Sequence, residues 1–244
     1  MVNNLMKKFI TFICYLMLCR SVQAENLRVI TENLPPYQIV VNDKLVGGSS
    51  VLLVKEILKR ANINADIEVL PWARAYRIAS HNSNTLIFSM ARNKTRESQF
   101  IWLVKLKNLT YHFYSLTSRP HLKAKNITEM LKHTVVTVRN SYEANSLKNF
   151  GFSEDKNLIL TNTYSTAWKM LSIGRADYTY ANELITETLN QKITSSTQLY
   201  KQAFDLGDTS DLYIAANVHM SSELLTKIKH SIETMRADGT LKNY

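Results

Sequence analysis

The residue types that most often carry acid–base, nucleophilic or metal chemistry are few and scattered in this sequence. Its only two cysteines, Cys14 and Cys19, stand near the N-terminus. The histidines follow no spacing typical of metal ligands or of a catalytic pair: His81, His112, His121, His133, His219 and His230. The sequence contains no Gly-x-Ser-x-Gly, His-Glu-x-x-His or phosphate-binding glycine motif. These observations favour binding over catalysis, and they predict neither a metal nor a cofactor.

The N-terminus has the pattern of a secretory signal peptide. Lys7 and Lys8 form a positive start, residues 9–19 are apolar, and Val22 and Ala24 occupy the third and first positions before a cleavage site. We predict cleavage after Ala24, because the apolar run is shorter than the roughly 20 residues of a transmembrane helix. The predicted location of the mature protein is the periplasm.

Cleavage has consequences for the chemistry and the charge of the mature chain. Removing 24 of the 244 residues leaves 220 residues without cysteine, which excludes disulfides and thiol nucleophiles. The alternative is a lipoprotein anchored through Cys19, but Leu18 is bulky where lipoprotein signals have a small residue. The signal holds three of the 30 basic residues and none of the 20 acidic residues, so the net charge falls from +10 to +7. The basic residues stand singly, so we predict a solvated basic surface and no nucleic-acid partner.

Apolar periodicity divides the mature chain into two successive groups of strands and helices. The first group has the order β-α-β-α-β, over residues 27–31, 51–61, 65–70, 71–79 and 85–90. After Pro120, helices are predicted over residues 127–131, 142–150, 165–173 and 221–237, and strands over residues 134–138, 158–160, 176–180 and 212–216. The apolar stripe predicted for the first helix includes Leu52. Because β-α-β units imply parallel strands covered by helices, the sequence predicts two α/β lobes.

Several short segments occur in the order and spacing of one known family. They are TENLPPY at residues 31–37, LVGG at 45–48, LPW at 70–72, MARNKTR at 90–96 with Phe100, GRAD at 174–177, and a final helix within residues 223–241. Together they make the chain similar to the family 3 bacterial extracellular solute-binding proteins, the polar amino-acid receptors of ABC transporters. The resemblance covers essentially the whole mature chain.

The resemblance implies a type II periplasmic-binding-protein fold, in which two α/β lobes are joined by a hinge of two crossovers. The first lobe is expected over residues 25–116 and 215–244, and the second over residues 117–214. The crossovers are expected near residues 114–119 and 211–216. Family members close around their ligand by bending at the hinge. The expected partners of this monomer are a small carboxylate ligand and an inner-membrane permease or sensor.

Five first-lobe residues match or adjoin positions at which the family contacts its ligand. Arg96 matches an arginine that pairs with the ligand's carboxylate, a task that suits the planar and always charged guanidinium. Ser89 and Ala91 match positions that bind the same carboxylate, Ala91 through its backbone alone. Trp72 matches an aromatic residue that packs on the ligand, and Tyr37 lies near the same wall. Packing in the core is the alternative for both rings.

Two further arginines and the second-lobe residues Ser141 and Asn182 complete the expected site. Arg74 and Arg92 resemble a subgroup pattern of the family, and either recognise a second anionic group or face solvent. Ser141 matches a hydroxyl that binds the carboxylate. Asn140 stands before it where the family has glycine, and asparagine tolerates the left-handed backbone of such a turn.

Asn182 departs from the family pattern. Amino-acid receptors have an aspartate at this position, which binds the ammonium group of the ligand. Asparagine offers an amide oxygen without the negative charge, and a charge-assisted hydrogen bond is about twice as strong as a neutral one. The departure favours a carboxylate or dicarboxylate over a zwitterionic amino acid.

The resemblance leaves two other functions open. Related lobes serve in sensors, so presentation of the ligand to a membrane sensor is an alternative to delivery to a permease. A few relatives on this fold are dehydratases that use a carboxylate or similar base in the cleft. Glu32 is the candidate base for that second alternative. The sequence favours a receptor that is not an enzyme.

Overall fold

The computed structural model describes residues 26–192, 199–201 and 206–243. The predicted signal peptide, with Cys14, Cys19 and the cleavage site, lies outside these residues. Within this part of the chain, no helix is long and apolar enough to cross a membrane. No three His, Cys, Asp or Glu side chains of these residues are grouped as metal ligands are.

The described elements are numbered here in chain order. The strands are β1 (Arg28–Thr31), β2 (Ile39–Val41), β3 (Lys44–Gly47), β4 (Ile67–Val69), β5 (Thr85–Ala91), β6 (Phe100–Leu116), β7 (Val135–Val138), β8 (Leu158–Thr161), β9 (Tyr178–Asn182), β10 (Leu199–Lys201) and β11 (Thr209–Asn217). The helices are α1 (Ser49–Arg60), α2 (Trp72–His81), α3 (Ile127–Met130), α4 (Tyr142–Asn149), α5 (Tyr164–Ser172), α6 (Glu183–Lys192) and α7 (Ser222–Ala237). A 3₁₀ turn over Thr240–Asn243 follows α7.

Two groups of parallel strands are joined by two long antiparallel strands. The sheet order is β4-β1-β5-β11-β6-β9-β7-β8, with β10 paired to β6 and a separate β2–β3 hairpin. Strand β1 is parallel to β4 and β5, and β7 is parallel to β8 and β9. Strands β6 and β11 run antiparallel to each other. Strand β6 is also antiparallel to β9, and β11 is antiparallel to β5. The predicted α/β architecture is therefore confirmed.

The long strands β6 and β11 connect the two lobes. Strand β6 pairs with β11 as far as Thr110 and with β9 from Tyr111 onward. Strand β11 begins beside the same part of β6, at Thr209, and then enters the first lobe between β5 and β6. Both strands thus pass through the junction between the lobes. The domain boundaries placed at residues 116 and 214 stay a prediction.

The first lobe has its own apolar core, formed where α1 and α7 pack on the sheet. Helix α1 buries Val54 and Ile57, and the Ser231 hydroxyl of α7 donates to the Ile57 carbonyl oxygen at 2.8 Å. Leu52, predicted within the buried stripe, is 56% exposed, and Leu53 is buried in its place. The reason is geometric: the buried residues of α1 recur three and four apart, and Leu52 lies outside that face.

The carboxyl ends of the parallel strands face the junction of the lobes. Glu32 follows β1, Arg92 follows β5, Asn140 lies just beyond β7, and Asn182 ends β9. Open parallel sheets bind ligands beyond these ends, where loops and helix N-termini supply polar groups. The fold therefore indicates a ligand site between the lobes.

Candidate functional site

A small cavity lies between the lobes at these strand ends. It is lined by Glu32, Leu34, Trp72, Ser89, Ala91, Arg96, Leu109, Tyr111, Ser141, Tyr142, Glu143, Tyr164, Asn182 and Leu212. The space left inside is about 20 Å³, which is room for roughly one water molecule. The lobes touch here through the hydrogen bonds that the Asn140 carbonyl oxygen accepts, and the space beside Arg96 is too small for a solute.

Arg96 lines this cavity and is only 1% exposed. Its Nη1 donates to the Ala91 carbonyl oxygen at 2.6 Å, and its Nη2 donates to the Asn140 carbonyl oxygen at 2.9 Å. The guanidinium carbon lies 5.1 Å from the ring centre of Trp72 and 4.9 Å from that of Tyr76. Among the described residues, its Nε–H has no hydrogen-bond partner. Arg96 is therefore a buried cation whose bonds go to neutral backbone oxygens.

Trp72 and Arg96 together tie the first lobe to the second. The indole Nε1 of Trp72 donates to the Asn140 carbonyl oxygen at 2.8 Å, the same oxygen that accepts from Arg96. Asn140 has φ 58°, so the left-handed turn expected of this asparagine is present. Its carbonyl projects toward the first lobe and occupies two donors of the arginine–tryptophan pair. A ligand that binds the single N–H of the Trp72 indole must displace this carbonyl, whereas Arg96 has further N–H groups to offer.

Ser89, Ala91 and Tyr37 have different relations to the cavity. The Ser89 hydroxyl accepts a short hydrogen bond from Gln38 Nε2 and donates to Ser50 Oγ at 3.2 Å. Ala91 contributes the carbonyl that bonds Arg96. Tyr37 does not line the cavity but packs in an apolar cluster, and burial raises the pKa of its phenol to about 12. Ser89 and Ala91 thus line the cavity together with Arg96, whereas Tyr37 is not part of the lining.

Ser141 and Asn182 line the cavity, but their side-chain oxygens cap helices. Ser141 Oγ accepts a hydrogen bond from Ala144 N at 3.1 Å at the start of α4. Asn182 Oδ1 accepts from Ile185 N at 3.1 Å at the start of α6. These oxygens satisfy the first free N–H groups of their helices, and each retains a second lone pair. Their contacts with a ligand stay a prediction.

Arg74 and Arg92 lie outside the cavity lining. Arg92 forms a two-pronged ion pair with Glu97, with Nε 2.9 Å from Oε2, and its guanidinium stacks on Trp102 and Tyr213. Arg74 is exposed on α2. The structure therefore places Arg96 in the cavity without the two other arginines, and their role in binding a second anionic group stays a prediction.

Two buried carboxylates line the same cavity, and the sequence singled out only one of them. Glu32 is 8% exposed and Glu143 is 2% exposed. Tyr164 donates its hydroxyl to Glu143 Oε1 at 3.1 Å. Glu143 stands in the first turn of α4, beside the expected Asn140–Ser141 turn, and this position is the signal that could have identified it. Glu32 had been considered only as a catalytic base.

Burial raises the pKa of both carboxyl groups. For Glu32 the nearby charge of Glu143 raises the pKa further, while Arg96 acts in the opposite direction. For Glu143 the effect of burial is partly offset by hydrogen bonds and by the charge of Arg96. Burial also raises the pKa of the neighbouring phenols of Tyr111 and Tyr164. The cavity therefore combines one arginine with two carboxyl groups that are difficult to ionise together.

The sequence matches the model of one known protein family. The family model described as "Bacterial extracellular solute-binding proteins, family 3" matches residues 27–244. A comparison with curated proteins found no match. The matched region includes every described element of both lobes.

Solved structures with low sequence identity share the whole fold. A histidine kinase sensor domain with similarity to periplasmic binding proteins is 17% identical, with a TM-score of 0.76 over 90% of this chain and 93% of that one. Holo ArgBP from T. maritima is 15% identical, with a TM-score of 0.72 over 86% and 90%. The ABC transporter substrate-binding protein AbpA from Streptococcus pneumoniae, solved with L-arginine, is 14% identical, with a TM-score of 0.71 over 89% and 92%. The expected type II periplasmic-binding-protein fold is confirmed.

Proposed function

This chain belongs to the bacterial extracellular solute-binding proteins of family 3, and we propose that it captures a small carboxylate-bearing solute between its lobes. Arg96 is the proposed anchor for the carboxylate. The observation that carries the proposal is the placement of this guanidinium. It is buried between the lobes, bonded to two backbone carbonyls, and left with an unpartnered Nε–H among the described residues.

The energetics of a buried charge explain why this arrangement favours an anionic ligand. A charge removed from water is costly unless it is paired and hydrogen-bonded. The hydrogen bonds of Arg96 go to neutral carbonyl oxygens, and the carboxyl groups of Glu143 and Glu32 act on the guanidinium through space without a hydrogen bond to it. A carboxylate accepts two parallel hydrogen bonds from the guanidinium and supplies a negative charge in contact with it. In this proposal the ligand's carboxylate takes over the Arg96 donor that bonds the Asn140 carbonyl oxygen in this structure.

Binding in this proposal requires the lobes to open and close. The cavity holds about 20 Å³, far less than the roughly 300–1,000 Å³ of small-molecule sites. Strands β6 and β11 connect the lobes and are the places where bending separates them. The bonds from Arg96 and Trp72 to Asn140 hold the lobes together and compete with the ligand.

We propose an amino acid or a related organic acid as the ligand, delivered to a permease from the periplasm. The family and the fold support a binding protein rather than an enzyme. AbpA, a structural neighbour, was solved with L-arginine, which supports testing amino acids first. The predicted signal peptide supports the location.

A thermal-shift screen tests the proposed function. Amino acids, dicarboxylates and keto acids are added at millimolar concentration, and a ligand at about 100 times its Kd stabilises the protein by roughly 2.7 kcal/mol. We expect a carboxylate hit that Arg96→Ala abolishes and Arg96→Lys weakens. Arg236→Ala is the matched control, because Arg236 is exposed on α7 and outside the cavity, and it keeps the full shift. A hit that survives Arg96→Ala unaltered contradicts the assignment of the anchor.

A second function, presentation of the ligand to a sensor, is supported by the similarity to a histidine kinase sensor domain. Delivery to a permease and presentation to a sensor can be distinguished by crosslinking the ligand-loaded protein to inner membranes. The crosslinked partner is then identified by mass spectrometry. We expect a permease subunit, and recovery of a sensor kinase alone favours the second function. The same spectrometer tests the hit for turnover, and a converted product favours an enzyme.

A further inference from the structure

The carboxylate of Asp208 stands where the sheet passes from one lobe to the other. Strand β11 begins at the next residue, Thr209, which pairs with Thr110 of β6. The following residue of β6, Tyr111, already pairs with β9 of the second lobe. The Tyr111 N–H donates to the Asp208 carbonyl oxygen at 3.0 Å. The backbones of the two connecting strands are therefore bonded to each other at this point.

Two phenols of the second lobe donate to this carboxylate. The Tyr142 hydroxyl on α4 donates to Asp208 Oδ1 at 2.5 Å, and the Tyr180 hydroxyl on β9 donates to Oδ2 at 2.6 Å. Burial, and after it the hydrogen bond to Asp208, raises the pKa of each phenol, so both remain donors at neutral pH. Hydrogen bonds to an ionised acceptor are about twice as strong as neutral ones. The start of β11 is thus held to two elements of the second lobe.

Tyrosine rings connect this carboxylate to the cavity. The ring centres of Tyr111 and Tyr142 are 4.6 Å apart, and both residues line the cavity. Tyr142 is the first residue of α4 and directly follows Ser141, which also lines the cavity. On the other side, the Tyr111 hydroxyl lies 3.0 Å from Ser210 Oγ of β11. A solute that contacts the N-terminus of α4 therefore acts on the start of β11 through Tyr142.

We propose that Asp208 is a positioning residue of the binding site. Its bonds to the two phenols make the start of β11 move together with the second-lobe wall, so that β6 and β11 bend on the first-lobe side of Tyr111 and Asp208. The inference rests on the proposed function and deepens it, because capture between two lobes depends on where their connections bend. Asp208 does not line the cavity with Arg96, so it acts through Tyr142 and not on the solute.

Hydrogen exchange of the ligand-free protein separates this role from general stabilisation. Asp208→Ala removes both phenol bonds, so we expect the amides of Tyr111 and of the start of β11 to exchange at least about tenfold faster. The amides of β1 and β7 keep their rates. The matched control is Asp177→Asn, which changes a half-buried second-lobe carboxylate that accepts from Thr134 N. The control leaves exchange at the junction unchanged.

A second variant decides the case in which Asp208→Ala does not fold. Tyr142→Phe keeps the ring and loses one bond, so exchange rises at the same amides by a smaller factor. Exchange that rises equally in every element shows a general loss of stability and overturns the proposal. Unchanged exchange at Tyr111 and the start of β11 also overturns it.

The distance between the lobes tests where the connections bend. Spin labels are attached at Lys59→Cys on α1 and Lys156→Cys before β8, two exposed positions in a predicted mature sequence without cysteine. We expect Asp208→Asn to broaden the distance distribution of the ligand-free protein measured by pulsed electron paramagnetic resonance, because the amide accepts at one atom and not at two. Asp177→Asn leaves the distribution as in the wild type. An equally narrow distribution in Asp208→Asn overturns the proposal.

These measurements need no ligand, so their failure is distinguishable from a failure of the proposed function. If Arg96→Ala abolishes the thermal-shift hit while the Asp208 variants leave exchange and distances unchanged, the carboxylate anchor stands and the role of Asp208 is wrong. If the Asp208 variants loosen the junction while Arg96→Ala leaves the hit unaltered, the anchor is wrong and the positioning role stands.

Discussion

The two walls of the cavity use their polar groups in different ways. On the first-lobe wall, Arg96 and Trp72 direct donors across the cleft to the Asn140 carbonyl. On the second-lobe wall, Ser141 and Asn182 use their side-chain oxygens to cap their own helices. The first wall therefore offers donors that a ligand can take over, whereas the second wall offers mainly the carboxylate of Glu143. Anchoring and selectivity are thus expected from different lobes.

The largest expected effect comes from the first wall, at Trp72. Its buried indole stacks near Tyr76 and Arg96 and donates to Asn140. Trp72→Ala should lower the free energy of unfolding of the ligand-free protein by about 3–5 kcal/mol, because it leaves a cavity. Trp72→Phe keeps a ring and loses one hydrogen bond, so we expect about 1 kcal/mol. Urea unfolding measures both, and equal losses would show that the bond to Asn140, rather than the ring, dominates.

A smaller effect is expected on the second wall, at Ser141. Its hydroxyl caps α4, and the Ser221 hydroxyl caps α7 far from the cavity in the same way. Ser141→Ala and Ser221→Ala should each lower the free energy of unfolding by about 1 kcal/mol. Neither should change ligand affinity in titration calorimetry. A loss of affinity in Ser141→Ala alone would show that the Ser141 hydroxyl contacts the ligand.

The smallest effect is expected at Asn182. Serine caps a helix about as well as asparagine, so Asn182→Ser should change the free energy of unfolding by less than about 0.5 kcal/mol, and Asn182→Ala should lower it by about 1 kcal/mol. Ligand affinity should be unchanged in both, measured by the same calorimetry. A tenfold weaker affinity in Asn182→Ser would mean that the amide binds the ligand. The second-lobe wall would then contact the ligand as the first-lobe wall does.

The fold could be predicted where one face of an element is buried, and less well at the junction of the lobes. Helices α1 and α7 show their buried faces as apolar periodicity. Strand β6 was not predicted, because it crosses between two lobes and exposes Lys105 and Asn108 midway. The β2–β3 hairpin was also missed. Its turn residues Asn42 and Asp43 both have positive φ, a local signal for such a turn.

The site could be predicted only for residues whose positions follow from the order of motifs. Arg96, Ser89 and Ala91 are brought together as the resemblance implied. The bonds to the Asn140 carbonyl oxygen and the presence of Glu32 and Glu143 in one cavity depend on how the lobes meet, which no local sequence pattern encodes. The helix caps of Ser141 and Asn182 were readable in part, because serine and asparagine at a helix start commonly cap it.

The structure of the ligand-loaded protein tests the central claim most directly. We expect a ligand carboxylate within hydrogen-bonding distance of Arg96 Nε and Nη2, with the Asn140 carbonyl displaced from the guanidinium. A bound ligand that leaves Arg96 bonded only to the carbonyl oxygens of Ala91 and Asn140 would show that Arg96 is not the carboxylate anchor.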